Sequence, residues 1–494
     1  MSERILSFDI IRGWAILGNL MVHFFMLTSQ VQGLAEAGDL GALNAFGFIQ
    51  MGFIIIFGHW RGLFLLISAS VHWYTMSKQL KAGVPRKVIL RREFLKGIVL
   101  WIWAMFFYIF LAEWSISKSL VETGTAQVEW WRIYHADQFA NIAWAMMISA
   151  VVFFLLSKND KLRKPYVGAI VFTILGLLFV IPAPYVHQAA NNLWGIDFQH
   201  GDHLGHLGEI GWWDYIVRLF TNQFVSQESP LMPHFAYSVV GSIIGIYISQ
   251  DNKPNKKKFL AWGYGIAGLN IVFGVFWFLV IDKALTLPTD ELINMTANFH
   301  VHPTWYVFVT IGLLLSVVLT VFAAIEFNRK LNVERHLRIS RISRRAGVMS
   351  LTVYSLASIQ AFLRVGMWGI FKLFNSPNAD MFRTSFGLPT QWEFFMLALE
   401  LGLWFLILWL WEKGRYIGSI DWLFAAILKA PSKMKKDKKW LFKDPLDIQG
   451  KLINPIPIRW VETLGYPPIN SSVLEEEVTL TENKISKIDE SIDL

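Results

Sequence analysis

The stretch Arg4-Ile-Leu-Ser-Phe-Asp9-Ile-Ile-Arg12-Gly13-Trp-Ala-Ile-Leu-Gly-Asn19-Leu-Met-Val-His23 indicates the fold class, because it carries four polar side chains within an apolar run. At about 100° per residue, Arg12, Asn19 and His23 fall within about 40° of one another on a helix, and Asp9 lies about 60° from Arg12. Polar groups are costly in the hydrocarbon core of a bilayer, so those found there commonly serve a function. The stretch therefore predicts a membrane-spanning helix with a functional polar stripe.

The composition is that of an integral membrane protein. Of 494 residues, 54% are hydrophobic and only 17% are charged, whereas a soluble domain has roughly 25% charged residues. The chain has no cysteine, which excludes disulfides, thiolate nucleophiles and cysteine-bound metals. The net charge of +8 resides between the apolar segments, which favours a role in membrane orientation over binding of nucleic acid. No basic leader precedes the first apolar segment, so we expect this segment to be retained in the membrane.

Ten apolar windows are long enough to cross a bilayer, which takes about 20 residues. They lie at 8–27, 45–76, 94–112, 139–157, 166–182, 233–249, 259–281, 304–326, 347–372 and 391–412. The second window is interrupted at Gly58-His-Trp-Arg-Gly62, and we interpret it as a short or re-entrant piece followed by a span.

The loops between these windows alternate in charge. The basic segments are 78–92, 158–164, 253–258, 329–345 and 413–443, and the loops with few cations are 28–44, 113–138, 183–232, 282–303 and 373–390. Basic loops remain on the cytoplasmic side of a membrane. The sequence therefore predicts an all-α polytopic protein of the cytoplasmic membrane with about ten transmembrane helices and both termini in the cytoplasm. Residues 1–430 would form the membrane domain and residues 431–494 a polar cytoplasmic tail.

The polar residues of the first helix suit a long donor with a phosphate head. Arg12 near the cytoplasmic mouth can bind phosphate with its guanidinium fork, and Gly13 beside it permits close approach of a ligand. His23 lies roughly 16 Å deeper, where a neutral imidazole can act as a general base and Asn19 can orient it or polarise a carbonyl. The alternative is that Asp9 and Arg12 form only an i,i+3 ion pair and His23 contacts a neighbouring helix.

Four segments of the chain resemble a known family. The pattern Arg4-x4-Asp9-x2-Arg12-Gly13-x-Ala-Ile-Leu-Gly18 resembles the opening signature of the transmembrane acyltransferase superfamily, which includes heparan-α-glucosaminide N-acetyltransferase, YeiB-like bacterial membrane proteins and membrane O-acetyltransferases of surface polysaccharides. The segments 60–69, 347–356 and 416–423 resemble later segments of the YeiB-like branch, in the same order. The matches cover some fifty residues.

This resemblance implies transfer of an acyl group, in the first instance acetyl, from cytoplasmic acyl-CoA to a glycan or lipid-linked acceptor. His23 stands where the polysaccharide O-acetyltransferases carry an essential histidine, whereas the YeiB-like branch usually has Asn there. The heparan enzyme has its histidine in the first outer loop, but here no histidine occurs between Phe24 and Gly58. The implied roles are His23 as the catalytic base, Asn19 as its polar partner, Arg12 and Arg61 as ligands of acetyl-CoA, Asp9 as the residue that positions Arg12, and Gly13 beside the bound donor.

Two further features are open to more than one interpretation. Arg61 can contact a phosphate or carbonyl, or can pair with an acid inside the membrane. His200, His203 and His206 have a spacing of three residues, which on a helix could bind zinc. Their segment is rich in glycine, which argues against a rigid helix, so contacts with the acceptor and ordinary loop chemistry remain as alternatives and no metal is assigned.

Two other classes of function remain: a small-solute transporter whose path is lined by the polar stripe, and a non-catalytic membrane subunit of a larger complex. The chain has no phosphate-binding Gly-x4-Gly-Lys-Ser/Thr motif, no Gly-x-Ser-x-Gly elbow and no His-Glu-x2-His, which disfavours ATP-driven transport, serine hydrolysis and zinc proteolysis. Membrane lipids are expected partners and nucleic acid is not. The acceptor, the acyl group and the oligomeric state, including a homodimer, are not determined by the sequence.

Overall fold

The computed structural model describes most of the membrane domain. The described residues are 3–28, 45–58, 60–112, 115–159, 164–194, 212–225, 229–250, 255–286, 302–328, 331–383, 388, 390–414, 416–433 and 456–457. Most of the predicted tail and the histidines at 200, 203 and 206 lie outside these ranges.

The described part of the chain is almost entirely helical. In its first half the α-helices are α1 (Leu6–Thr28), α2 (Ala45–Gly58), α3 (Trp60–Lys81), α4 (Arg86–Phe106), α5 (Ile116–Thr123), α6 (Gln138–Leu156), α7 (Pro165–Val180), α8 (Ala183–Trp194) and α9 (Trp212–Val225). Helix α4 continues as a π-helical turn over Phe107–Leu111, and 3₁₀ turns lie at Trp130–Tyr134 and Ser157–Asn159.

The second half continues in the same way. Its α-helices are α10 (Leu231–Ile248), α11 (Lys256–Phe276), α12 (Thr304–Ala324), α13 (Val333–Ile339), α14 (Arg341–Val348), α15 (Ser350–Ser355), α16 (Ile359–Leu373), α17 (Thr390–Lys413) and α18 (Ile420–Lys433). A π-helical turn at Trp277–Ile281 extends α11, and 3₁₀ turns lie at Ala284–Thr286 and Ala379–Phe382. A two-residue parallel pairing joins β1 (Glu3–Arg4) to β2 (Ile456–Pro457).

Local capping accounts for several of these boundaries. The Asp137 side chain accepts a hydrogen bond from the Ala140 N–H at 2.9 Å and so caps the start of α6. Asn255 caps α11 in the same way through the Lys257 N–H. Such side chains satisfy N–H groups that have no partner inside the helix. Gly124, with φ at +73°, ends α5 in the left-handed conformation, which is typical of a helix C-terminus.

Helix α3 is the centre of the packing. It contacts α1, α6, α10 and α12, and its buried side chains include Leu63, Leu66 and Trp73. Helix α4 packs against α6, α7 against α10, α11 against α12, and α1 against α14. Polar residues of α1, α3 and α4 therefore lie inside a bundle of helices.

Within the described ranges, seven helices are long and apolar enough to cross a membrane, and eight if the bent pair α7–α8 forms one span. Their burial differs: 78% of the apolar window of α10 is buried in the protein, but only 11% of the window that begins with α11. Outward residues of α11 such as Trp262, Leu269 and Val272 are highly exposed. A hydrophobic outer face of this kind is suited to lipid, so the chain is a helical membrane protein.

The structure departs from the predicted windows at two places. The window 347–372 is not one helix, because the chain turns at Met349 and again at 356–358. Serine and threonine side chains in this segment can bond to nearby backbone and so compete with a continuous helix. Helix α1 is 23 residues long but is not among the seven. The count of ten spans and the cytoplasmic location of both termini therefore remain predictions.

Candidate functional site around Arg12

Helices α1 and α14 are in close contact through two glycines. A Cβ atom built at Gly13 would overlap the carbonyl group of Ser343, and one at Gly347 would overlap the Asp9 carbonyl. Small residues allow helix backbones to approach this closely. The space beside Gly13, which was predicted to allow the approach of a ligand, is thus filled by α14 on the side where a Cβ atom would lie.

Arg12 is held next to this crossing. Its Nη1 donates a hydrogen bond to the Gly347 carbonyl at 3.3 Å. Asp421 accepts hydrogen bonds from Thr352, from the backbone N–H at 2.9 Å and from the hydroxyl at 2.7 Å. Burial raises the pKa of Asp421, while the Thr352 hydrogen bonds and the charge of Arg12 oppose this shift. Three of the segments that carry the family resemblance, the first of them more than 300 residues from the other two, therefore meet at Arg12.

A cavity of about 300 Å³ lies beside Arg12. It is lined by residues of α1, α3, α4, α6, α15 and α18: Arg12, Phe64, Ser68, Val71, His72, Thr75, Glu93, Lys96, Leu100, Phe139, Ile142, Met146, Ser350, Leu351 and Phe424. This volume lies at the lower end of the roughly 300–1,000 Å³ of small-ligand pockets. The cavity can therefore hold one portion of an extended ligand.

A polar trio in the cavity was not predicted from the sequence. The Lys96 ammonium lies 2.7 Å from one carboxylate oxygen of Glu93, and His72 Nδ1 lies 3.2 Å from the other. The side chains of Glu93 and His72 are buried, whereas Lys96 is 27% exposed. The i,i+3 spacing of Glu93 and Lys96 was a usable signal, but Glu93 directly follows the basic segment 78–92 and resembles a loop residue. His72 comes from another helix, which sequence spacing cannot reveal.

His23 and Asn19 lie deeper along α1 and do not line this cavity. Both are half-buried. The His23 ring lies edge-on to the Tyr354 ring, with 6.2 Å between the centroids, and Tyr354 in turn contacts Phe139 at 4.5 Å. Because Phe139 lines the cavity, two aromatic rings separate His23 from it.

Arg61 lies at a different site from Arg12. Its Nη1 donates a hydrogen bond to the Ser229 hydroxyl at 2.7 Å, and its carbonyl accepts one from Gln138 at 2.7 Å. Arg61 is eleven residues from His72 on α3, roughly 16 Å along the helix. Arg61 does not line the cavity beside Arg12, so the expected shared role of the two arginines with acetyl-CoA stays a prediction.

A second buried polar cluster lies near Arg61, whose charge acts on its member Tyr237. The Tyr237 hydroxyl lies 2.9 Å from His302 Nδ1, and the rings of His302 and His234 are 4.4 Å apart. All three side chains are buried. They come from α10 and from the residues before α12, so this cluster too is assembled by tertiary contacts that spacing does not predict.

Asp9 is buried at the start of α1, near another acidic residue, Glu326. Glu326 accepts hydrogen bonds from the Ser7 backbone N–H at 3.0 Å and from the Ser7 hydroxyl at 3.1 Å. Burial raises the pKa of Glu326 to about 7, and the charge of Asp9 adds to this shift. The beginning of α1 is thus held by a carboxyl group at its N-terminal end, which is the favourable end for a negative charge.

Within the described ranges, no three His, Cys, Asp or Glu side chains are grouped as metal ligands. No protein-family model matches the chain, and none of the curated proteins matches it. The site is therefore interpreted from its own residues.

Proposed function

We propose that the protein is a multi-pass enzyme of the cytoplasmic membrane that transfers an acyl group, most simply acetyl, from acyl-CoA to a sugar or lipid-linked acceptor. The observation that carries this proposal is the cavity beside Arg12, which two cationic side chains, Arg12 and Lys96, both line. Cationic groups at a partly enclosed site suit the phosphates of a long donor.

The meeting of the resembling segments supports the proposal. Arg12 from the first segment, Phe64 and Ser68 from the second, and Ser350 and Leu351 from the third line one cavity. The fourth segment contributes Asp421, which bonds Thr352. Segments with a shared function are expected to lie together in space, whereas a chance resemblance has no reason to do so.

The chemistry requires a base and a group that stabilises negative charge. Acyl-CoA supplies a thioester carbonyl that an acceptor hydroxyl or amine can attack. In the proposed reaction His23 takes the acceptor proton as the acceptor oxygen or nitrogen bonds to the carbonyl carbon, and Asn19 donates a hydrogen bond to the carbonyl oxygen as negative charge develops. The carbon–sulfur bond then breaks, and His23 gives the proton to the departing thiolate. This assignment requires the acyl end of the donor to pass Tyr354, whose ring lies between His23 and Phe139.

The proposed topology has ten membrane-inserted units with both termini in the cytoplasm. Helix α1 and the broken segment 347–372 would be the two units beyond the eight that qualify by length and hydropathy. The alternation of loop charge supports this arrangement. In this topology Arg12 and the basic end of α3, with Lys78 and Lys81, would lie on the cytoplasmic side, where acyl-CoA is available.

Isothermal titration of the detergent-purified protein with coenzyme A tests the proposal. We expect binding by the parent protein and roughly tenfold or greater weakening in Arg12→Ala, since a charged hydrogen bond contributes about 1.5–3 kcal/mol. The matched control is Arg383→Ala, whose guanidinium bonds the Val121 carbonyl outside the cavity. Absence of binding by the parent, or equal affinity in Arg12→Ala, would contradict the proposed donor site.

One observation favours transport as a second candidate. A buried histidine and carboxylate with a partly exposed ammonium in one cavity is also an arrangement that can carry protons through a membrane protein. Solute flux in liposomes that persists in His23→Ala would favour this function over acyl transfer.

A further inference from the structure

Glu93 is a buried carboxylate with a nitrogen-bearing side chain close to each of its oxygens. One of its oxygens lies 2.7 Å from the Lys96 ammonium and the other 3.2 Å from His72 Nδ1. A buried carboxylate without a cationic or hydrogen-bonding partner is strongly destabilising. Anything that draws Lys96 away must therefore be compensated at Glu93.

Lys96 is the most exposed member of this trio. Its side chain is 27% exposed, compared with 1% for Glu93 and 7% for His72, and it lines the cavity with Arg12. A lysine has a long flexible stem. Lys96 can therefore reach a ligand phosphate in the cavity, provided that the charge of Glu93 is compensated.

His72 can compensate for that exchange. The groups that act on it are Glu93 and Lys96 of α4 and the backbone of Met146 in α6. Arg12 of α1 and apolar side chains of α6 line the same cavity. Asp421 acts on Arg12 from α18. When Lys96 is paired with Glu93, a neutral His72 leaves the trio without net charge. When Lys96 leaves, a proton on His72 restores the balance.

We infer that the cavity binds a phosphate-bearing anion by exchange of ion pairs: Lys96 moves from Glu93 to the ligand, and His72 takes up one proton from solvent to remain paired with Glu93. The inference rests on the proposed function in identifying the ligand with the phosphate end of acyl-CoA. Binding of the anion would thus be coupled to uptake of one proton, and would strengthen as pH falls.

Calorimetric titration with coenzyme A in buffers of different ionisation enthalpy measures this uptake. At about pH 7.5, where an ordinary histidine is mostly neutral, we expect close to one proton per coenzyme A bound by the parent protein. Pantetheine, which lacks the phosphates, should bind without uptake, and inorganic pyrophosphate should reproduce the uptake if a free phosphoanion suffices. A parent protein that binds coenzyme A without proton uptake would overturn the inference and leave the proposed function intact.

Two variants locate the proton. In His72→Asn we expect no uptake and about tenfold weaker binding of coenzyme A. In Glu93→Gln, which keeps the side-chain volume, Lys96 has no carboxylate to leave, so we expect binding at least as tight as in the parent and no uptake. The matched control is His187→Gln, a buried histidine bonded to the Met232 carbonyl, and it should retain full uptake. Parent-like uptake in Glu93→Gln would refute the exchange even if His72→Asn fails to fold.

Discussion

Gly347 lies directly against Gly13 where α14 crosses α1: a Cβ atom at Gly347 would come within 3.0 Å of the Gly13 backbone nitrogen. The same crossing supplies the carbonyl to which Arg12 donates. The position of the Arg12 guanidinium is therefore set by a backbone contact between two helices far apart in the sequence.

Replacing Gly347 by Ala should destabilise the protein. The new methyl group would overlap the Asp9 carbonyl, and overpacking of this kind typically costs about 1–3 kcal/mol. We expect a lower thermal unfolding temperature and weaker binding of coenzyme A. The matched control is Gly366→Ala in α16, where an added Cβ meets nothing within 4 Å. A Gly347→Ala protein as stable as this control would contradict the close crossing.

Removal of the Asp421 side chain should leave two donors of Thr352 without an acceptor. Each unsatisfied buried donor costs about 1–3 kcal/mol, so we expect Asp421→Ala to unfold at lower temperature and Asp421→Asn, which retains one acceptor oxygen, to be less affected. Asp380→Ala is the control, because that carboxylate is exposed and contacts Lys372. Equal unfolding temperatures for Asp421→Ala and Asp380→Ala would show that the bonds to Thr352 do not stabilise the fold.

Glu326 should make stability depend on pH. Its pKa is raised from 4.5 to about 7 in the folded protein, so between these values the folded state binds more protons than the unfolded state. The free energy of unfolding should therefore fall as pH rises from about 4.5 to about 7, by at most about 1.4 kcal/mol per pH unit, and then level off. Chemical unfolding at several pH values measures this slope.

The variant Glu326→Gln should flatten that slope, since Gln can still accept from Ser7 but does not titrate. Glu129→Gln provides the comparison, because Glu129 is 44% exposed and pairs with the nearby Arg132. If Glu326→Gln and the parent had the same slope, Glu326 would not be the titrating group.

His23→Ala should abolish acyl transfer while leaving the affinity for coenzyme A near that of the parent. Loss of a general base typically lowers turnover by about 10²–10⁴-fold. For Asn19→Ala we expect a decrease of about 10²–10³-fold, which is typical of the loss of a donor to a developing oxyanion. The turnover of radiolabelled acetyl-CoA by each variant measures these decreases, and the turnover of His187→Gln is the control. Undiminished turnover in His23→Ala would exclude His23 as the base.

The helical membrane class was predictable because hydropathy is a property of local sequence. Windows at 94–112, 233–249 and 304–326 correspond to helices that qualify by length and hydropathy. The window at 347–372 was wrong as a single helix. Its average hydropathy masks serine and threonine side chains, and one of them, Thr352, is engaged by Asp421 from a later helix.

The site was predictable only where its residues lie on one helix. The periodicity of α1 indicated that Arg12 faces the protein interior, and Arg12 does line a cavity. The pairing of His72 with Glu93 depends on how α3 meets α4, and the separation of Arg61 from Arg12 depends on the direction in which α3 runs past α1. Neither relationship is encoded in a spacing along the chain.

The peripheral position of α11 has a consequence for how the sequence can vary. Only Ala267 and Gly274 of this helix are buried, and both face α12. A saturation scan should therefore find these two positions intolerant of larger side chains, while Trp262, Leu269 and Val272 accept almost any apolar substitute. Selection would then act on this helix through two small residues and a general requirement that its outward side chains be hydrophobic.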